Sequence, residues 1–197
     1  PLPIQHEGVD YHIYGTSATR DFPPDTCHIF IGLDQGMKRT WRRFPWHVGY
    51  HEFMLPIQDM GVPPSKDIFD ALLGWLKTEL LENKTIYLGC IGGHGRTGFV
   101  LAAFVNLMMP EIQNPIKYVR DNYCHKAVES QVQIDYLVKH HGAEKDAKPT
   151  KGPPVQRNVG GTWSQYGSST GRAPGKTGGG AHDTSHWVGK GTKAHVK

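Results

Sequence analysis

The sequence predicts an α/β fold: a central, mostly parallel sheet flanked by helices, followed by a disordered C-terminal tail. Three observations predict it. Short β-rich runs alternate with segments of helical periodicity between residues 11 and 140, a pattern that builds a largely parallel sheet covered by helices. The run Thr85–Cys90 (TIYLGC) passes through a glycine-rich turn directly into an apolar helix. Near Gly142 the composition changes: 12 of the 24 glycines fall within the last 56 residues, and branched aliphatics almost vanish. Such a segment buries too little apolar area to offset its ordering entropy. Residues 1–141 therefore form the predicted domain and 142–197 the tail.

The elements follow in order. Tyr11–Tyr14, Cys27–Leu33 (CHIFIGL) and His51–Ile57 (HEFMLPI) are predicted strands bounded by turn residues. After Pro63-Pro64, Ser65 is the predicted N-cap of a helix. Ile68, Leu72, Leu73, Leu76 and Leu80 give that helix one apolar face, and Asn83-Lys84 ends it. Thr85–Cys90 is a buried strand, and an apolar helix runs from about Thr97 to Met109, stopped by Pro110. Asn114-Pro115 caps a helix reaching about Tyr123, since proline suits the first helical position. An amphipathic helix from Ser130 to His140, closed by Gly142, completes the domain.

Bulk properties narrow the function classes. The opening PLPIQHEGVD has no signal-peptide pattern, and the longest apolar run, Phe99–Met109, covers 11 residues where a bilayer span needs about 20. No membrane span is expected. Cys27, Cys90 and Cys124 are odd in number and lack metal-ligand spacing, which points to a reducing compartment and a cytoplasmic location. The net charge of +4 is uneven: 142–197 holds nine basic and three acidic residues, leaving 13 basic and 15 acidic for 1–141. The basic tail can attract nucleic acid or acidic surfaces weakly, or serve only solubility.

The chemistry concentrates in Cys90-Ile91-Gly92-Gly93-His94-Gly95-Arg96-Thr97-Gly98. A helix N-terminus presents unpaired N–H groups and the positive end of a dipole, which together bind anions. Glycines let the loop from Ile91 to Arg96 curl so that successive N–H groups converge on one phosphate. Cys90 would sit beneath the phosphorus, its pKa lowered by the same N–H groups. Arg96 can fork onto two phosphate oxygens, and the Thr97 hydroxyl can donate back to the sulfur.

This segment resembles the Cys-x5-Arg-Ser/Thr phosphate loop of the protein tyrosine phosphatase superfamily, particularly its small dual-specificity-like branch. The resemblance covers roughly residues 27–141 and implies a cysteine-based phosphatase fold. Leu55–Pro64 is similar to the family's mobile general-acid loop, with Asp59 in the acid's place, 31 residues before Cys90. Ala127–Gln133 is similar to the segment that sets a glutamine beside the hydrolytic water; Gln133 matches best and Gln131 is the second candidate. One position departs: the family usually carries His immediately before the nucleophile, and here Gly89 stands there.

The resemblance implies phosphate-monoester hydrolysis through a phosphocysteine on Cys90, clamped by Arg96. Asp59 would be acid and then base, Thr97 would help expel the thiolate, and Gln133 would align the water. It implies neither cofactor nor metal, because Arg96 and the backbone supply the positive field. A phosphorylated protein is the expected substrate; phosphoinositides and RNA 5′-phosphates are the alternatives within the superfamily.

Other readings of the same residues stand beside these. A module that binds phosphate without turnover is the principal rival, with Gly89 as its support. Gly93-x-Gly95-x-x-Gly98 also fits a dinucleotide fingerprint, but no second strand with an acid follows about 20 residues on. Asp59 could be a turn residue before Gly61, with Asp67 and Asp70 as rival acids inside a helix. Gln133 could be a surface helix residue, and His94 could face substrate or water. Cys27 or Cys124 could pair with an oxidised Cys90. Lys38–Trp46 alternates bases with aromatics, a lip for polyanions or a plain connection. His182, His186 and His195 have no spacing that fixes a metal geometry.

Overall fold

The computed structural model describes residues 1–19, 26–38, 50–144 and 147–151. Five strands form one sheet in the order β1-β2-β5-β3-β4: β1 Leu2–His6, β2 Val9–Ser17, β3 Ile29–Gly32, β4 His51–Met54 and β5 Ile86–Cys90. β2, β5, β3 and β4 run parallel, and β1 lies antiparallel on β2. The predicted mostly parallel sheet is therefore present, with one antiparallel edge strand added.

β1 lies outside the predicted strands, and it contains Pro3, a residue that disfavours a strand interior. Pro3 is tolerated because β1 is an edge strand, where a missing N–H need not break a ladder. The β1–β2 turn, Glu7-Gly8, is a two-residue reversal with both residues left-handed (φ 50° and 80°). That is the geometry of a tight hairpin, without the Asn-Gly or Asp-Gly letters that usually announce one.

Four helices lie among the described residues: α1 Lys66–Leu81, α2 Gly95–Met108, α3 Pro115–Asn122 and α4 Gln131–His140. Their caps follow the sequence. Ser65 Oγ accepts from Ile68 N–H, Asn114 Oδ1 from Lys117 N–H, and Ser130 Oγ from Gln133 N–H. α2 begins two residues earlier than predicted, at Gly95, so Arg96 and Thr97 belong to its first turn.

α2 is the centre of the packing, with Phe99 to Val105 all fully buried and α1, α3 and α4 packed against it. Ile29, Ile31, Ile86 and Leu88 face these helices, as alternation along a strand requires. On the opposite face Phe30 packs with Cys27 and Met37, and Tyr87 stacks on Tyr14 with ring centroids 4.6 Å apart. β5 is the middle strand, so its C-terminal end opens at the edge of the sheet where parallel α/β folds bind ligands.

The chain stays packed beyond the predicted domain end at 141. Ala143 is buried and Ala147 lies against the core. Thr150 Oγ1 donates to Lys126 O, and Lys151 N–H donates to Glu129 O. From 152 onward the predicted tail, with His182, His186 and His195, lies outside the described residues, as do residues 39–46 of the basic-aromatic run. No helix of the described residues is long and apolar enough to cross a membrane.

Candidate active site

Cys90 ends β5 and is 2 % exposed. The turn after it bends at Gly93, whose φ is +72°. A Cβ there would also stand 2.8 Å from Thr16 O, so both conformation and space demand glycine. Thr97, in the first turn of α2, is fully buried beneath this turn. Its Oγ1 accepts the Cys90 N–H at 3.0 Å and donates its own hydrogen to Cys90 Sγ at 3.2 Å. The sulfur thus meets a hydroxyl donor from the first turn of α2.

Arg96 is 5 % exposed and its guanidinium connects three segments. Nη1 donates to Asp34 Oδ2 at 2.5 Å and to Ile57 O at 3.0 Å, and Nη2 pairs with Asp59 Oδ1 at 3.2 Å. Asp34 is held in turn: its Oδ1 accepts the Gly36 N–H at 2.7 Å, capping the short 3-10 turn Gln35–Met37. A buried cation with fixed partners is poised to give its remaining N–H groups to an oxyanion without reorganising. Asp59, by contrast, has a largely exposed side chain and stands at the mouth of the site.

The Asp59 loop is fastened on both sides. At its start, Leu55 and Ile57 N–H groups donate to Gly32 O and Leu33 O, extending the β3 pairing. After Asp59, Met60 adopts φ +61°, and its carbonyl accepts from Ser130 Oγ at 2.6 Å. Gln133 Nε2 donates to Gly61 O at 3.1 Å. Asp67 and Asp70, the rival acids, lie on α1, and Asp70 pairs with Lys66 on its surface.

Gln133 is not the surface helix residue that one reading allowed. It is fully buried, and its Oε1 accepts the Glu129 and Ser130 N–H groups at 2.9 and 3.3 Å. It closes a capping box for α4 and ties that helix to the Asp59 loop. With Oε1 filled by backbone donors, only a remaining Nε2 hydrogen can reach toward a water. Gln131 is exposed and bonds Asp135.

The rim of the phosphate loop is braced from behind. Tyr123 hydroxyl donates to Gly93 O at 2.6 Å, and its ring lies over Gly15, where a Cβ would collide with it. His94, half-buried, shares a hydrogen bond with Cys124 Sγ at 3.1 Å, so its ring turns toward α3 rather than freely into water. Ile91 and Gly92 are exposed on the loop's outer side.

The three cysteines are free. Cys27 precedes and Cys90 follows the Ile29–Ile86 pair, two and four residues away. At about 3.3 Å per residue this separates them by roughly 20 Å, far beyond disulfide reach. Burial pushes the Cys27 thiol up to about 12.

The structure also accounts for Gly89. A Cβ at this position would stand 2.7 Å from Thr16 Cγ2, 2.8 Å from Thr16 O and 2.9 Å from Met37 Cε. The space a histidine would use is already filled by β2 and by the turn after β3.

Asp34, Tyr123, Glu129 and Lys151 were not singled out in the sequence. Asp34 has the letters of a turn cap, Asp-x-Gly, and nothing there indicates an arginine 62 residues later. Among the described residues, no group of three His, Cys, Asp or Glu side chains could hold a metal ion.

Residues 25–108 match the family model Tc-R-P, described as a polymorphic toxin system DSP-PTPase phosphatase. The chain is 36 % identical over 145 residues to the uncharacterized protein MJ0215 of Methanocaldococcus jannaschii, covering 69 % of this chain and 87 % of that protein. A second uncharacterized protein of that organism is 34 % identical over 112 residues, covering 56 % and 74 % respectively. Among solved structures, Tk-PTP in its active form has a TM-score of 0.48 at 24 % identity, covering 58 % of this chain and 78 % of its own. Human DUSP28 has a TM-score of 0.47 at 11 % identity, covering 66 % and 90 %. The matched model spans the Asp59 loop, β5, the Cys90–Arg96 turn and α2. Residues 25–108 thus carry a domain of the DSP-PTPase phosphatase family, on the dual-specificity-like side of the protein tyrosine phosphatases.

Proposed function

We propose that this chain hydrolyses phosphate monoesters of phosphorylated proteins through a phosphocysteine on Cys90. One observation carries the reading: a hydroxyl donor on Cys90 Sγ and a buried guanidinium occupy one short turn, with Asp59 on that same guanidinium.

The steps follow from these positions. Substrate phosphate displaces Asp59 from Arg96 and takes the loop N–H groups and the guanidinium as its clamp. The Cys90 thiolate attacks phosphorus, an S–P bond forms, and the P–O bond to the leaving group breaks. Asp59 gives its proton to the departing oxygen. Water then attacks phosphorus, its proton passes to the Asp59 carboxylate, and the S–P bond breaks to restore the thiolate, which Thr97 stabilises. Gln133 and Ser130 act mainly by fixing the Asp59 loop, with the free Nε2 hydrogen of Gln133 available to the water. The loop residues Ile91, Gly92, Gly93, His94 and Gly95 bring no lysine to the phosphate. That composition favours phosphoprotein over phosphoinositide, and the free thiols suit a reducing, cytoplasmic setting.

Hydrolysis of p-nitrophenyl phosphate in EDTA, with and without vanadate, tests the reading. Vanadate-sensitive turnover is expected, absent in Cys90→Ser and reduced about 100-fold in Asp59→Asn. Freshly reduced wild-type protein inert from about pH 5 to 8 would instead support a phosphate-binding module without turnover.

A further inference from the structure

The segment beyond α4 returns to the phosphate loop with a charge. Arg120 fastens it, donating from Nε to Ala127 O and from Nη2 to Val128 O and Lys148 O. Lys151 then bonds Glu129 twice, through its own N–H to the Glu129 carbonyl at 3.0 Å and through Nζ to Oε1 at 2.7 Å. Glu129 is 6 % exposed. Its other carboxylate oxygen lies against Gly95, where a Cβ would collide with it. Gly95 is the first residue of α2, in the turn whose N–H groups form the anion site.

A lone buried carboxylate at that place would oppose both a phosphate dianion and the Cys90 thiolate. We propose that Lys151 is a positioning residue for the active site, neutralising Glu129 beneath the phosphate loop so that the loop's field stays positive. This rests on the Cys90 site described above and adds to it a residue from the segment that the sequence assigns to the tail. The hydrogen bond that Lys151 Nζ donates to Glu129 raises the Lys151 pKa against the opposing effect of desolvation, with smaller upward contributions from Glu129, Asp59 and Cys90. Among the described residues, Arg96, Asp34 and Asp59 are further charged groups around the loop, and His94, Cys124 and Tyr123 are further titratable groups there.

The full chain carrying Lys151→Met, Lys151→Arg, or Lys151→Met with Glu129→Gln tests this. Three readouts apply: vanadate inhibition, hydrolysis of p-nitrophenyl phosphate, and the pH profile of Cys90 alkylation by iodoacetamide, followed on the Cys90 peptide by mass spectrometry. Lys151→Met is expected to weaken vanadate binding about fivefold and to move the alkylation profile to higher pH. Lys151→Arg should match wild type, and the double variant should return to within about twofold of it. A single variant identical to wild type would overturn the proposal. So would a double variant as defective as the single one, which would make Lys151 only an anchor for the segment. A shifted alkylation profile in a protein that never hydrolyses phosphate would retain the charge pair and refute the phosphatase reading alone.

Discussion

Replacing Gly89 by alanine separates two accounts of the residue before the nucleophile. On one, a supporting histidine has been lost and its space stands open; on the other, the neighbours have filled it. β5 is hydrogen-bonded on both sides, with Thr16 and Gly32 as the partners of Gly89. Of the three close neighbours of an added Cβ, Met37 Cε ends a flexible side chain and can yield. Thr16 O, at 2.8 Å, is backbone of a paired strand and cannot move without disturbing the ladder. Overpacking of this kind costs about 1–3 kcal/mol, and alanine returns about 0.4–1 kcal/mol by restricting the unfolded chain. The net loss lies between about 0 and 2.6 kcal/mol, centred on about 1.3 kcal/mol, which at an m-value of about 2 kcal/mol/M lowers the urea midpoint by about 0.6 M. Gly89→His should be worse, with a lower yield of folded protein and no gain in turnover. An alanine variant with the wild-type midpoint, or a histidine variant with faster turnover at neutral pH, would refute this reasoning.

Other consequences can be checked in parallel. Asp34→Asn keeps the cap on Gly36 but removes the charge opposite Arg96; kcat/KM should fall about tenfold, the worth of one partly buried charged hydrogen bond, and a change within twofold would show that Ile57 O alone orients the guanidinium. Cys27, with its thiol pushed up to about 12, should stay unmodified by a disulfide reagent at pH 8 until the protein is unfolded; reaction at the rate of Cys124 would contradict its burial. His141 is buried with its pKa lowered chiefly by desolvation, so below the ordinary value of 6.5 the unfolded chain takes a proton that the folded chain refuses. Stability should therefore fall as pH drops from 6.5 toward the depressed value, and His141→Phe should flatten that slope in urea midpoints measured at pH 7.5 and 5.5.

Much of this was legible in the letters because local rules and tertiary packing agree. Ser65, Asn114 and Ser130 cap the helices they precede, and the apolar run is fully buried from Phe99 to Val105. The Cys90 turn could be located because its glycines, arginine and threonine are adjacent in sequence. What escaped depends on contacts distant in sequence. β1 is a strand only because β2 offers an edge that tolerates Pro3. Asp34 acquires its importance from Arg96, and Gln133 looked like a residue for water until its carbonyl met two backbone donors. Lys148, Thr150 and Lys151 follow a glycine and precede a glycine-rich stretch, so composition alone placed them in the tail. Their hydrogen bonds to Arg120, Lys126 and Glu129 hold them on the domain.

The most direct test of the central claim is rapid acid quench of the enzyme mixed with a phosphotyrosine peptide labelled in its phosphate. Mapping the label should place it on the peptide containing Cys90, with a burst of released peptide approaching one per enzyme molecule. The label should be absent from Cys90→Ser. Turnover without a labelled Cys90 peptide, or hydrolysis that survives Cys90→Ser, would contradict the account.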